Sequence, residues 1–503
     1  MRRTAEPAPL EEVKAALRSR LMAVAHLIAP AASLESSTAG LLHQLAVETK
    51  RTHDARKAWL LFIAVSASFP KPNQLTEMRR RLSLARDSTA MMAVLEATVN
   101  PATLPFVGRR SLEVVEDSTV VDVNFCATWE HNTGIQRVVR QTMPIWHATH
   151  KPVTFVAWIH DSTAMRRLLD FELDRVLNWN DRQLTPPARR NHEDEEPVAL
   201  VVPWNCRVFL PEVPMASLCE QLACVAEHSG NVVSLIGYDA IPLVSAEGQS
   251  NDESERFAHY LTIVKRAHSV AAISESAAEE FRGFGDALPT QGIPGPIVRA
   301  IPLALETPVV APELTEKVRE RPLVLCVGSH EPRKNQEGVL YAAEALFNQG
   351  VDFELVFVGG GSASVLLDFD RRVRQLNARG FRVRSLRRAS DNELLELYRR
   401  ARFTAFISLH EGYGLPVAES LALGTPVLTS NFGSLAEIAA AGGCVMVNPR
   451  DDVDIVDGFR RMLTDDDLIE RLEREAREIP SRSWSTYADE LWAFVESSKA
   501  VDR

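Results

Sequence analysis

The chain has 503 residues, 46% of them hydrophobic and 24% charged, with a formal net charge of −11. This length suits two or three ordinary globular domains, and the acidic balance argues against nucleic acid as the main partner while leaving local basic patches open. No apolar run approaches the roughly 18 residues of a membrane span, and the acidic start MRRTAEPAPLEEVK lacks the apolar core of a signal peptide, so the expected location is cytoplasmic.

The six cysteines, Cys126, Cys206, Cys219, Cys224, Cys326 and Cys444, form no C-x-x-C pair. They read as reduced core thiols, not as a disulfide framework or a zinc site. Residues 1–103 read as a helical extension. Apolar residues recur at helical spacing at Leu10, Val13, Leu17, Leu21, Val24 and Leu27, and again over Ala58–Ala67 and Met78–Val99, with a break at Pro70 and Pro72. The expectation is a bundle appended to the catalytic part. The sharper alternative is peripheral contact with the inner membrane face or a partner protein, because Arg18, Arg20 and Arg79-Arg80-Arg81 lie near apolar faces.

Ser118–Phe125 alternates and is β-branched, so it is expected to be the first strand of an α/β domain. It leads into Thr133-Gly134-Ile135-Gln136-Arg137 and a helix over Val138–Trp146, a place where a glycine suits phosphate approach and Thr133 suits a helix cap. Pro152–Ile159, Ala199–Val202, Asn231–Tyr238 and Ser269–Ile273 are further strands. Thr185–Pro197 and Val244–Arg256 read as polar loops, and Ser276 with Glu279 as a capping box. Asp239, at a strand end beside Tyr238, suits a loop cap and a substrate contact equally. Glu306–Arg321, with Pro308 and Pro312, reads as a linker between two halves.

The second half opens with the strand Pro322–Val327 and the turn Gly328-Ser329-His330-Glu331-Pro332-Arg333-Lys334-Asn335, followed by a helix over Glu337–Asn348. Adjacent Arg and Lys at such a turn suit a diphosphate, one as a planar fork and the other as a point charge. Phe353–Val358 leads to Gly359-Gly360-Gly361, a nucleotide-facing loop or a plain turn. Val383–Arg388 is a short strand and Asp391–Ala401 a helix. Then comes His410–Glu437, HEGYGLPVAESLALGTPVLTSNFGSLAE. An apolar strand, Phe403–Leu409, ends at Glu411; Gly412 and Gly414 permit a tight turn; Pro416 opens a helix that Gly424 ends. Glu411 is thereby placed in the strand-to-helix loop and Glu419 in the first helical turn, both at the carboxyl edge of a sheet, where open α/β folds bind ligands. Cys444–Val447 is a last strand, with amphipathic helices over Leu468–Glu478 and Tyr487–Val495.

E-G-Y-G-L-P-V-A-E followed by A-L-G-T-P-V resembles the EX7E motif of retaining glycosyltransferases of family GT4, which have the GT-B fold. T-G-I-Q-R-V-V-R, G-Y-D-A-I-P and G-S-H-E-P-R-K-N are similar to motifs of the bacterial members that build O-antigen and other surface polysaccharides, among them mannosyl- and rhamnosyltransferases. The resemblance covers residues 118 to 480. It implies an α/β protein of two Rossmann-like domains facing a cleft: 118–305 on the acceptor side, 320–480 for the nucleotide-sugar donor, and 481–503 as a final helix returning to the first domain, anchored by Trp484 and Trp492.

By the same resemblance Glu411, Arg333 and Lys334 are the catalytic set. Gly328, Gly412, Tyr413, Gly414, Leu415, Glu419, Gly134 and Arg387 border the donor, with Glu419 on the ribose and Leu386 and Arg387 near the base. Thr133, Gln136, Tyr238 and Asp239 are acceptor-side candidates. Many members have His where Tyr238 stands, and Arg where Ser329 stands. Glu437 is near the diphosphate or structural. The implied reaction moves a sugar, with retention, from a nucleotide diphosphate sugar (GDP-, UDP- or dTDP-linked) to a glycan or lipid-linked glycan, with no required cofactor or metal. Asp368-Phe369-Asp370 and Asp452-Val453-Asp454 are discounted as metal sites, one for lying in a helix and the other for following the last strand. A dehydrogenase is disfavoured because no G-x-G-x-x-G follows an early strand. A catalytically silent nucleotide-sugar-binding scaffold predicts a damaged donor site, whereas Glu411, Glu419, Arg333 and Lys334 are present. A sugar-nucleotide epimerase or glycogen-synthase-like enzyme fits T-G-I-Q-R and E-P-R-K-N less well.

Overall fold

Strands that alternate with amphipathic helices bury both faces of a parallel sheet between helical layers, and the chain does this twice. The computed structural model describes residues 9–99, 109–179, 199–248, 250–306 and 321–498. The first sheet holds β1 (Ser111–Val115), β2 (Thr119–Asp122), β3 (Val153–Trp158), β4 (Met165–Arg167), β5 (Ala199–Pro203), β6 (Arg207–Leu210), β7 (Val232–Gly237), β8 (Ser269–Ala272) and β9 (Ile297–Ala300). Their order is β1-β5-β4-β3-β2-β6-β7-β8-β9, parallel except where β4 runs against β3 and β5.

The second sheet holds β10 (Leu323–Val327), β11 (Glu354–Val358), β12 (Arg382–Leu386), β13 (Phe403–Phe406), β14 (Val427–Ser430) and β15 (Cys444–Val447), in the order β12-β11-β10-β13-β14-β15. All its pairs are parallel. The carboxyl ends of both sheets converge on one cleft. The helix Trp484–Ser497 returns to the first sheet: the Trp146 indole donates to the Ala488 carbonyl at 2.9 Å and packs edge-on against Trp492 at 5.0 Å.

The helices before β1, within 10–98, do not form a separate bundle. Their apolar faces join the core beneath the first sheet. Trp59, Phe69 and Trp158 stack in series, edge to face, at 5.6 and 5.8 Å, contacts worth more than their buried area alone. Two of the basic residues singled out for docking are turned to structural use. Arg20 is buried and donates to the carbonyls of Ala64 and Arg110. Arg18 ties down the carbonyls of Leu34 and Ser36.

Several local expectations need correction. The first strand is β1, not Ser118–Phe125, which contributes the shorter β2. Residues 251–256, the second part of the expected polar loop Val244–Arg256, instead open the helix Asn251–Val264, capped by Ser250, because Phe257, Tyr260, Ile263 and Val264 make one buried stripe along it. The cap before the helix Glu275–Ala287 is Ser274, whose hydroxyl accepts from the Ala277 N–H at 3.0 Å, so Ser276 lies inside the first turn. Glu419 falls in the second turn of the helix Leu415–Ala422, which is capped by Gly414, eight residues after the strand ends at Phe406 and not directly after the expected Leu409. The loop Thr185–Pro197 and most of the linker, 307–320, lie outside the described residues.

Candidate active site

The site is built where β10 and β13 end side by side. After β10 the chain turns through Gly328 into a short 3-10 turn, Pro332–Lys334. The Arg333 carbonyl accepts from the Leu409 N–H at 2.6 Å, which locks this turn to the loop after β13. Lys334 Nζ then lies 3.0 Å from Glu411 Oε1, and Arg333 Nη1 lies 3.1 Å from the same oxygen. Arg333 also donates to the His410 carbonyl at 3.1 Å and pairs with Glu331 at 2.8 Å. The three side chains are only 10–16% exposed. Burial pushes the Glu411 carboxyl up, but Lys334 and Arg333 outweigh it and hold the group below its ordinary value. Charge attraction from Glu411 and Glu331 likewise raises Arg333 against the effect of burial. Arg333 and Lys334 thus face Glu411 inside the pocket and Glu331, 36% exposed, at its edge, so two cations are balanced by two carboxylates and are held ready for an anionic ligand that takes the place of either.

Around this pocket the loop Gly359–Gly361 lies on the first turn. The Gly328 N–H donates to Val358 at 2.9 Å and the His330 N–H to Gly360 at 2.6 Å, while a Cβ on Gly359 would sit 1.9 Å from the Gly328 carbonyl oxygen. The Gly359 N–H donates to Leu386 at 2.9 Å, so the end of β12 joins the same rim. Arg387 is there but pairs with Asp370. The two Asp-x-Asp triplets serve locally: Asp368 pairs with Arg371 at 2.8 Å, and Asp454 accepts from the Asn448 N–H at 2.6 Å.

The first sheet closes on this rim. Gly412 marks a tight approach: a Cβ there would lie 2.5 Å from the Tyr238 carbonyl oxygen and 2.8 Å from Asp239 Oδ2. The Ser274 hydroxyl donates to the Gly412 carbonyl at 2.7 Å. A Cβ on Gly134 would lie 3.7 Å from the Leu415 side chain, and the Tyr413 hydroxyl donates to the Leu303 carbonyl at 3.1 Å. Gly414 holds φ +109°, a value that favours glycine, and starts the helix carrying Glu419. Burial pushes the Asp239 carboxyl up to about 6, with Glu280 adding to it. Its Oδ1 accepts from the Ile241 N–H at 3.1 Å, so the capping role is realised at the cleft wall. Tyr238 departs from expectation: its ring lies in the core and its hydroxyl donates to Pro211 at 2.7 Å, leaving only its backbone to face the cleft. Thr133 and Gln136 serve the helix start, with the Thr133 N–H donating to Gln136 Oε1 at 3.2 Å.

Sequence reasoning missed five participants. Arg137 reaches across the cleft and pairs with Glu419, whose other oxygen accepts from the Tyr398 hydroxyl at 3.0 Å. Arg137 stood in a quoted motif without a role, and Tyr398 gave no signal beyond its helix. His410 bridges the two sheets, bonded to Ser245 at 2.8 Å and to Glu280 at 2.5 Å. Ser245 and Glu280 lie 165 and 130 residues from their partner and carry no motif. Glu437, left open between diphosphate and structure, accepts the N–H groups of Glu275 and Ser276 at 2.9 and 2.6 Å and so caps a helix of the opposite sheet.

Residues 312–479 match the family Glycosyl transferases group 1. The serotype-specific mannosyltransferase WbdA of Escherichia coli is 27% identical over 350 residues, covering 66% of this chain and 40% of its own length. O-antigen chain mannosyltransferase B of Escherichia coli is 36% identical over 138 residues, covering 26% of this chain and 34% of its own. The chain thus spans about two fifths or less of these relatives. Among solved structures, Anabaena Alr3699/HepE in complex with UDP and glucose superposes with a TM-score of 0.51 at 13% identity, covering 76% of this chain and 99% of that one. The chain carries a glycosyltransferase group 1 domain of the GT4 type in a GT-B fold.

Proposed function

We propose that the chain is a retaining hexosyltransferase that moves mannose, or its close relative rhamnose, from a nucleotide diphosphate sugar to a glycan or lipid-linked glycan in surface-polysaccharide assembly. Glu411 held at 3.0–3.1 Å between Lys334 and Arg333 carries this reading. The mannosyltransferase names of both sequence relatives favour mannose.

In the proposed reaction, the bond between the anomeric carbon and the diphosphate oxygen breaks. Arg333 and Lys334 stabilise the charge that develops on the departing diphosphate, an electrostatic effect worth several kcal/mol in a site shielded from water. Glu411, kept ionised by the same cations, faces the oxocarbenium-like sugar. The acceptor hydroxyl attacks from the leaving-group face, which gives retention, and its proton passes to the departing phosphate. Glu419 binds the donor ribose after exchanging Arg137 for the ribose hydroxyls. The site works without a metal in this scheme, and the chain acts in the cytoplasm, where nucleotide sugars are at hand.

The test is transfer from GDP-mannose, and from UDP- and dTDP-linked sugars, to a lipid-linked glycan, preceded by thermal shifts with the free nucleotides in chelator. A ligand that binds only the native state raises its stability. Glu411→Ala and Lys334→Ala are expected to abolish transfer. Near-normal turnover in either variant sinks the site assignment.

A further inference from the structure

A second concave site lies far along the chain from the cleft, wholly within residues 49–83. The end of the helix Thr38–Thr52, the start of the helix Ala55–Ser66 and one face of the helix Pro72–Leu84 enclose an open cleft of about 300 Å³. Its lining includes Lys50, His53, Arg79 and Arg80 together with Thr49, Thr76 and Ser83, the last donating its hydroxyl to the Arg80 carbonyl at 2.8 Å. Asp54 is the one carboxylate in the lining, and Arg56 engages it at 3.0 Å. Lys50 pairs with Asp87 at 2.6 Å, at the edge of the cleft.

Two observations mark this as more than a solvated basic face. The guanidinium groups of Arg79 and Arg80 pair with no carboxylate among the described residues, although the neighbouring Arg81 pairs with Glu77 at 2.6 Å. Thr49 is 2% exposed, yet its hydroxyl has no hydrogen-bond partner. A helical threonine ordinarily returns its hydroxyl to the carbonyl four residues earlier, as Thr52 does to Glu48 at 3.0 Å. A buried polar atom left unsatisfied destabilises the fold, a cost removed when a ligand supplies the partner.

We propose that this cleft binds a phosphate group. Guanidinium forks match the spacing of phosphate oxygens, Thr49, whose hydroxyl lacks a partner, belongs to the lining, and the volume sits at the small end of ligand pockets. A phosphorylated small molecule and the headgroup of an acidic phospholipid share this chemistry.

The experiment uses the full chain, the double variant Arg79→Ala/Arg80→Ala and the near-isosteric Thr49→Val. Each is titrated calorimetrically with inorganic phosphate, and sedimented with vesicles of phosphatidic acid in phosphatidylcholine against vesicles of phosphatidylcholine alone. Thermal shift with GDP and UDP monitors the catalytic cleft separately. The expected result is a phosphate or vesicle affinity that falls at least tenfold in the double variant and several-fold in Thr49→Val, with the nucleotide response unchanged. Loss in the phosphate arm assigns a soluble phosphate, and loss in the vesicle arm alone assigns the lipid headgroup. Equal behaviour of wild type and double variant in both arms overturns the proposal.

Discussion

Glu411→Gln tests the charge arrangement most directly, because it keeps the shape of the side chain and removes only its charge. In the free protein Glu411 is the counter-ion for Lys334 and Arg333, both at about 3 Å and both largely shielded. Breaking a buried pair from one side costs roughly 3–5 kcal/mol. Arg333 keeps Glu331 at 2.8 Å, and the glutamine oxygen still accepts one hydrogen bond, so the cost should fall to about 2 kcal/mol. For a chain of this length that is a fall in Tm of about 4 °C or less. The diphosphate of a bound nucleotide restores the missing negative charge. A saturating nucleoside diphosphate should therefore return most of the lost stability, and its affinity should rise by up to about thirtyfold, while sugar transfer is lost. The assays are differential scanning fluorimetry with and without GDP or UDP, and calorimetry for affinity. A variant that matches wild type in Tm and gains nothing extra from nucleotide would refute the view that Glu411 stands in for the leaving group's charge.

Three further outcomes follow from the cleft. Arg137→Met frees Glu419 from a partly exposed pair worth about 1 kcal/mol and should tighten nucleoside diphosphate binding about fivefold by calorimetry; weaker binding would instead make Arg137 a donor ligand. Gly412→Ala places a methyl 2.5 Å from the Tyr238 carbonyl, so the two sheets cannot close, and kcat should fall at least tenfold with an unchanged circular dichroism spectrum; full activity would show that this approach is dispensable. His410 gives a pH dependence. Burial lowers its pKa, but the hydrogen bond and charge of Glu280, helped by Asp239, more than offset this and raise it above the ordinary 6.5, with Arg333 opposing. A raised folded value means stability that is complete below about 6.5 and lost as pH rises through the folded pKa. Wild-type Tm should therefore drop between pH 6.5 and 8 by more than that of His410→Gln; parallel profiles would refute the assignment.

How far the sequence reaches into this site depends on the distance over which each residue's partner lies. Glu411, Gly412, Gly414 and Glu419 sit in one strand-turn-helix, whose glycines, proline and apolar run dictate a local shape, so their placement at a sheet edge could be read from 28 consecutive residues. Arg333 and Lys334 were likewise placed by a glycine-led turn. What joins the two stretches is the pairing of β10 with β13, a neighbour relation that local periodicity does not encode but that the resemblance supplied. Beyond that the reading fails in a consistent way. Arg137 with Glu419, His410 with Glu280 and Glu437 with the helix at Glu275 all join the opposing sheets. Each uses a common polar residue whose other possible use, a solvated surface charge, looks the same in sequence. The Tyr238 ring turns to the core because alternation along β7 carries it there after Ile236, leaving its backbone to the cleft. Side chains that answer to their own element are therefore predictable, while those that answer to the opposite sheet are not. The contacts that hold the cleft closed belong to the second kind, and Arg137 shows the consequence: the residue that occupies the expected ribose ligand was visible in a motif, but its partner lay 282 residues away.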